Sequence, residues 1–96
     1  MVQQLTITLE SEVPLKSLIE SALQSEAKML AVGLRRTRER LAQFEKQFEM
    51  TSAEFERKLA SREIAETLDF IDWQGEIAML KALESKERAL QWLKIV

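Results

Sequence analysis

Residues suited to a buried seam recur at alternating spacings of three and four along Leu23, Ala27, Leu30, Leu34, Thr37, Leu41, Phe44 and Phe48. That spacing keeps one face of a continuous helix turned toward a partner, as in a coiled coil. A helix from Pro14 to Phe48 is roughly 50 Å long at about 1.5 Å per residue. A compact globule built from 96 residues is only about 30 Å across. The rest of so short a chain cannot wrap such a helix on every side, so its apolar seams call for partners.

Composition narrows what those partners and the chain itself do. Hydrophobic residues make up 46% and charged residues 31%, with only two Gly and one Pro. This is the composition of a folded, mostly helical chain with few turns, and its length fits one domain spanning residues 1–96. There is no Cys and no His, which removes the common nucleophile, the common general base near neutral pH and the common zinc ligands. The expectation is a protein without catalytic residues, cofactor or metal. A net charge of −2 gives no global attraction to nucleic acid. No apolar run approaches a membrane span and no basic-then-apolar leader opens the chain, so a cytoplasmic protein with no membrane contact is expected.

Along the chain, Leu5, Ile7 and Leu9 alternate with Thr6 and Thr8, which predicts a strand within residues 1–10. Pro14 suits the first turn of a long helix over residues 14–49, because the N–H it lacks would be unsatisfied there anyway. The apolar arc of this helix is broad in its first half and narrow in its second. Gly33 interrupts it in composition but not in phase, which predicts close approach of a neighbour in preference to a break. Met50-Thr51-Ser52-Ala53-Glu54-Phe55 reads as a restart, with Thr51 as cap, Glu54 reaching back and Met50 stapled to Phe55. A short helix over residues 51–60 follows. Residues 61–68 are open between helix and connector. Asp69 is the expected cap of a returning helix over residues 69–90, whose seam begins as Phe70, Trp73, Ile77 and Leu80 and moves to Met79, Leu83, Leu90 and Leu93. Residues 91–96 suit a short strand that could pair with the first. The fold class is therefore all-α: a long helix, a short helix and a returning helix in an antiparallel hairpin, with short terminal strands.

Three groups of side chains are candidates for contact. Leu18, Ala22, Met29 and Val32 widen the apolar arc of the long helix and are assigned to self-association, most simply a two-fold dimer. Phe44, Phe48, Phe55, Phe70, Trp73 and Ile77 gather at the helix junctions. They are either the core of a hairpin tip or an aromatic patch for a heterologous protein partner. Arg35, Arg36, Arg38 and Arg40 form the one basic cluster. Arg forks match phosphate, yet Glu39, Glu45 and Glu49 follow closely, so a solvated or salt-bridged face is preferred and nucleic acid is disfavoured. Asp69, Asp72 and Glu76 share one side of a helix, which an acidic first turn explains more simply than a cation site. Glu26, set in the wide apolar arc, suits a register-setting polar contact. The strand pattern also invites a ribbon-helix-helix DNA-binding reading with Gln4, Thr6 and Thr8 as base readers, but residues 15–32 show no turn between two short helices.

Phe44-Glu45, Met50-Thr51-Ser52-Ala53-Glu54-Phe55 and Asp69-Phe70-Ile71-Asp72-Trp73-Gln74-Gly75-Glu76 together resemble a group of small helical prokaryotic proteins regarded as antitoxin-like components of toxin–antitoxin modules. The resemblance covers residues 34–83. Where those proteins tend to carry Lys-Tyr-Gly, this chain has Gln47-Phe48-Glu49. The missing Gly removes a helix stop, so a different first junction is expected. The resemblance implies stoichiometric binding that covers a partner's active surface or helps assemble it. A structural or adaptor homo-oligomer is the alternative.

Overall fold

The computed structural model describes residues 14–93. It contains three helices, α1 (Leu15–Phe48), α2 (Ser52–Ala60) and α3 (Leu68–Trp92). The strand expected in residues 1–10 lies outside the described residues. At the other end the helix runs through Gln91 and Trp92, where a strand had been expected to begin, and residues 94–96 lie outside the description.

α1 is one unbroken helix of 34 residues. Its continuity leaves no place for the turn that a ribbon-helix-helix arrangement requires between two short helices. Pro14 stands just before the first turn, where its carbonyl accepts the Leu18 N–H at 3.1 Å. The helix stops without glycine: Glu49 itself adopts the left-handed conformation (φ 54°, ψ 42°), and the Met50 N–H closes back on the Glu45 carbonyl at 3.3 Å. The same residue also holds the next helix, because a Glu45 carboxylate oxygen accepts the Ser52 N–H at 2.6 Å. Thr51 caps α2 as expected, accepting the Glu54 N–H at 3.1 Å.

The second junction is a connector. Arg62 takes φ 62° while Glu63 and Arg62 donate to the Lys58 and Leu59 carbonyls at 2.9 and 3.2 Å. These two bonds satisfy carbonyls that the end of α2 would otherwise leave open, as in a Schellman motif. The cap of α3 is Thr67, whose hydroxyl accepts the Phe70 N–H at 3.2 Å. Asp69, expected to cap, instead lies in the first turn, where its charge complements the helix dipole without a capping bond.

α3 returns along α1. Trp73 lies against Phe44 and Phe48, Glu76 pairs with Arg40, and Leu83 lies against Gly33; rising numbers on α3 meet falling numbers on α1. The buried seam of α1 is Leu30, Leu34, Thr37 and Leu41, four of the residues whose spacing predicted it. On α3, Leu83, Leu90 and Leu93 are half-buried as expected, but Met79, at the outer edge of the same face, is 51% exposed. Because α3 advances about 1.5 Å per residue, its end at Trp92 falls beside about residue 25 of α1. The first two turns of α1 therefore run on past it, and the molecule is a rod of 61 × 25 × 18 Å.

Candidate protein-contact surface

The aromatic group at the tip forms the core that joins the three helices. Phe55 and Trp73 are fully buried, Ile77 is buried, and Phe44, Phe48 and Phe70 are packed around them, half-buried. The Phe55 and Trp73 rings lie 4.0 Å apart at 2°, while Phe44 lies 5.6 Å from Trp73 at 8°. Phe70 meets the group at steeper angles, at 5.1 Å from Phe55 and 5.0 Å from Phe48. The tilted contacts of Phe70 suit the ring quadrupole, and the parallel pairs add broad apolar contact. The indole N–H of Trp73 donates to the Ser52 hydroxyl at 3.0 Å, so the polar edge of the largest core side chain is satisfied across a helix junction. Of the two uses expected for these residues, the chain makes the internal one with Phe55, Trp73 and Ile77, of which Phe55 and Trp73 keep no accessible surface and Ile77 only 6%. Phe44, Phe48 and Phe70 keep more of their surface open.

The basic cluster divides in two. Arg40 pairs with Glu76 at 3.2 Å and Arg38 with Glu84 at 3.7 Å, each bridging α1 to α3 on opposite sides of their seam. Arg35 and Arg36 are exposed and stand on the outside of α1. Half of the arginines thus serve the hairpin itself, and none is joined by a glycine-rich loop or an exposed aromatic platform. Asp69 and Asp72 are exposed, and among the described residues no group of three His, Cys, Asp or Glu is placed to hold a metal ion. No described helix is long and apolar enough to cross a membrane.

The residues assigned to self-association remain open. Leu18 is 59%, Met29 69% and Val32 49% exposed, and Ala22 is exposed between them. Glu26 is exposed on the same half of α1. Sequence reasoning missed a second set: Leu68 at 82%, Ile71 at 49%, Met79 at 51% and Trp92 at 68% exposure, all on α3. A signal for Ile71 was present. Projected at about 100° per residue, the side of α3 opposite Trp73 and Leu80 carries Ile71, Gly75, Ala78, Ala82 and Ala89, with no charge within that stripe. A solvated helix face normally carries charged residues. The concave features are shallow and open; one groove of about 380 Å³ lies between α2 and α3, lined by Leu59, Ile77 and Ala78 with the Glu56 and Lys81 side chains at hand. Those two side chains pair at 3.3 Å, which leaves the groove without a free charge to orient a ligand. Comparisons with protein-family models, curated proteins and solved structures found no match.

Proposed function

We propose that this protein is a non-enzymatic binding module that acts by laying helix surface against another polypeptide. The observation that carries this reading is the row of large apolar side chains left in water along both long helices, from Leu18 to Val32 on α1 and from Leu68 to Trp92 on α3. Monomeric proteins expose single apolar residues routinely, but rows of them along helices mark interaction surfaces. The buried core offers a second support, since six hydrophobic residues are enclosed among the described residues and association would add to a small store of stability.

An antitoxin-like role, in which the chain binds and regulates one partner protein, rests on the sequence resemblance over residues 34–83. The tip is the fitting place for such a partner. There Leu68 and Ile71 stand exposed, and Phe44, Phe48 and Phe70 keep part of their rings open around the buried Phe55 and Trp73. Purification of the tagged protein from its own cells under native conditions, followed by mass measurement of the intact complex, tests the reading. A single companion in fixed ratio, lost on Leu68→Glu with Ile71→Glu, is the expected result. Recovery of the chain with neither a companion nor a second copy of itself overturns it.

A further inference from the structure

We infer that one flank of the α1–α3 hairpin is the contact face for a second copy of this chain. The inference rests on the binding-module reading and gives one of its surfaces an occupant.

The ion pairs identify the two flanks. On α3, Lys81 and Glu84 point to the side where α2 lies, since Lys81 reaches Glu56 of α2 at 3.3 Å and Glu84 reaches Arg38 at 3.7 Å. Glu76 points the other way and meets Arg40. Projection at about 100° per residue then places Ala22, Met29 and Gly33 of α1 with Gly75, Met79 and Leu83 of α3 on this second flank. Leu83 packs at Gly33, its Cδ1 only 3.4 Å from where a β-carbon would stand, so the surface between the helices is shallow there. Opposite, the first flank is occupied by α2 near the tip and carries Arg35, Arg38, Glu39 and Glu87 around the groove beyond it.

Size and charge both fit another copy. The overlap of α1 with the 25 residues of α3 is about 37 Å long, and two helices spaced about 8–10 Å apart present a face on the order of 700 Å². Two such faces together bury about 1,400 Å², inside the range of a standard stable interface. Four helices packed this way, two from each copy, form a four-helix arrangement with its own apolar centre. A two-fold contact sets one surface against itself, so a flank of single sign would repel its copy. This flank is balanced: Arg36 and Arg40 accompany Asp72 and Glu76 toward the tip, and Glu26 accompanies Lys86 toward the other end. An exposed Glu26 beside this flank has the place expected of a charge that sets register.

Sedimentation equilibrium of the full-length chain tests the inference, with far-UV circular dichroism as the control on folding. The wild type is expected at twice its chain mass of 11.1 kDa. Met29→Glu and Met79→Glu should each weaken self-association at least about 100-fold, because a two-fold contact buries every introduced charge twice. Ala22→Glu, just beyond the end of α3 on the same side of α1, provides an independent variant at the edge of this face. Ala42→Glu, which lies on the α2 side, should leave the dimer intact. A chain that stays single at all accessible concentrations overturns the inference. If that single chain still captures an unlike protein through Leu68 and Ile71, the binding-module reading survives without it. A dimer indifferent to Met29→Glu, Met79→Glu and Ala22→Glu overturns it equally, because association would then use another face.

Discussion

Phe55 and Trp73 stack with ring centroids 4.0 Å apart and planes 2° from parallel, and both side chains are fully buried. One comes from α2 and the other from α3, so this contact fastens the short helix to the hairpin. Phe55→Ala should cost about 3–5 kcal/mol, a large part of the roughly 5–15 kcal/mol that stabilises an ordinary domain. Urea denaturation at fixed protein concentration measures the loss; fixing the concentration matters because association also stabilises the fold. Ser52→Ala should cost less, about 1 kcal/mol, by leaving the Trp73 N–H without its 3.0 Å partner.

Two helix ends are held by residues that pay a conformational penalty. Glu49 and Arg62 occupy positive φ, at 54° and 62°, a region costly to any residue with a β-carbon and open to glycine. Glu49→Gly and Arg62→Gly should each stabilise the protein by roughly 0.5–1 kcal/mol, the relief of strain exceeding the added freedom of the unfolded chain. Thermal denaturation of the two glycine variants beside Glu49→Ala separates the causes. Alanine keeps the β-carbon and should bring no gain.

These same junctions show where the sequence was readable. The seam from Leu30 to Phe48 was legible because helical spacing is a local, repeated signal, and Thr51 was legible because a cap and its helix lie within three residues. The stop near residue 49 was legible from the restart at Thr51, but the left-handed turn of Glu49 itself was not, since nothing local marks a glutamate for that conformation; Phe48 and Met50 on either side of it both pack on the shared aromatic core. Thr67 was passed over for Asp69 because both are capping residues and only the register of Phe70 and Trp73 against α1 chooses between them. Phe55, Trp73 and Ile77 were rightly grouped, but whether they face inward or toward a partner depends on how α2 folds over α3, a non-local outcome. Met79 was placed in the seam because its spacing from Leu83 suits a helix face, whereas the axis of α3 directs Leu80 inward.

The ion pairs between the long helices should contribute little to stability. Arg40 and Arg38 are about half exposed in their pairs with Glu76 and Glu84, so water and salt screen both interactions. A double-mutant cycle through Arg40→Ala and Glu76→Ala should give a coupling of about 0.2–1 kcal/mol, smaller in high salt. Glu76 is the more enclosed partner, with 17% of its side chain exposed against 38% for Glu84. The Arg40–Glu76 coupling should accordingly be the larger of the two, and a second cycle on Arg38 and Glu84 supplies the comparison.

Gly33 sits in the middle of α1 with ordinary helical geometry, and a β-carbon built there would meet Leu83 Cδ1 at 3.4 Å and Cδ2 at 3.7 Å. Those are normal van der Waals distances to the end of a flexible side chain. Gly33→Ala should therefore recover about 0.8–1 kcal/mol of helix propensity and keep the packing with Leu83. A larger side chain has no such room: Gly33→Leu must displace Leu83 and is expected to lose about 1–3 kcal/mol. Chemical denaturation of the three proteins measures both changes. A destabilised Gly33→Ala would mean that the backbone at this position, and not merely the space beside it, is required by something that packs closer than Leu83.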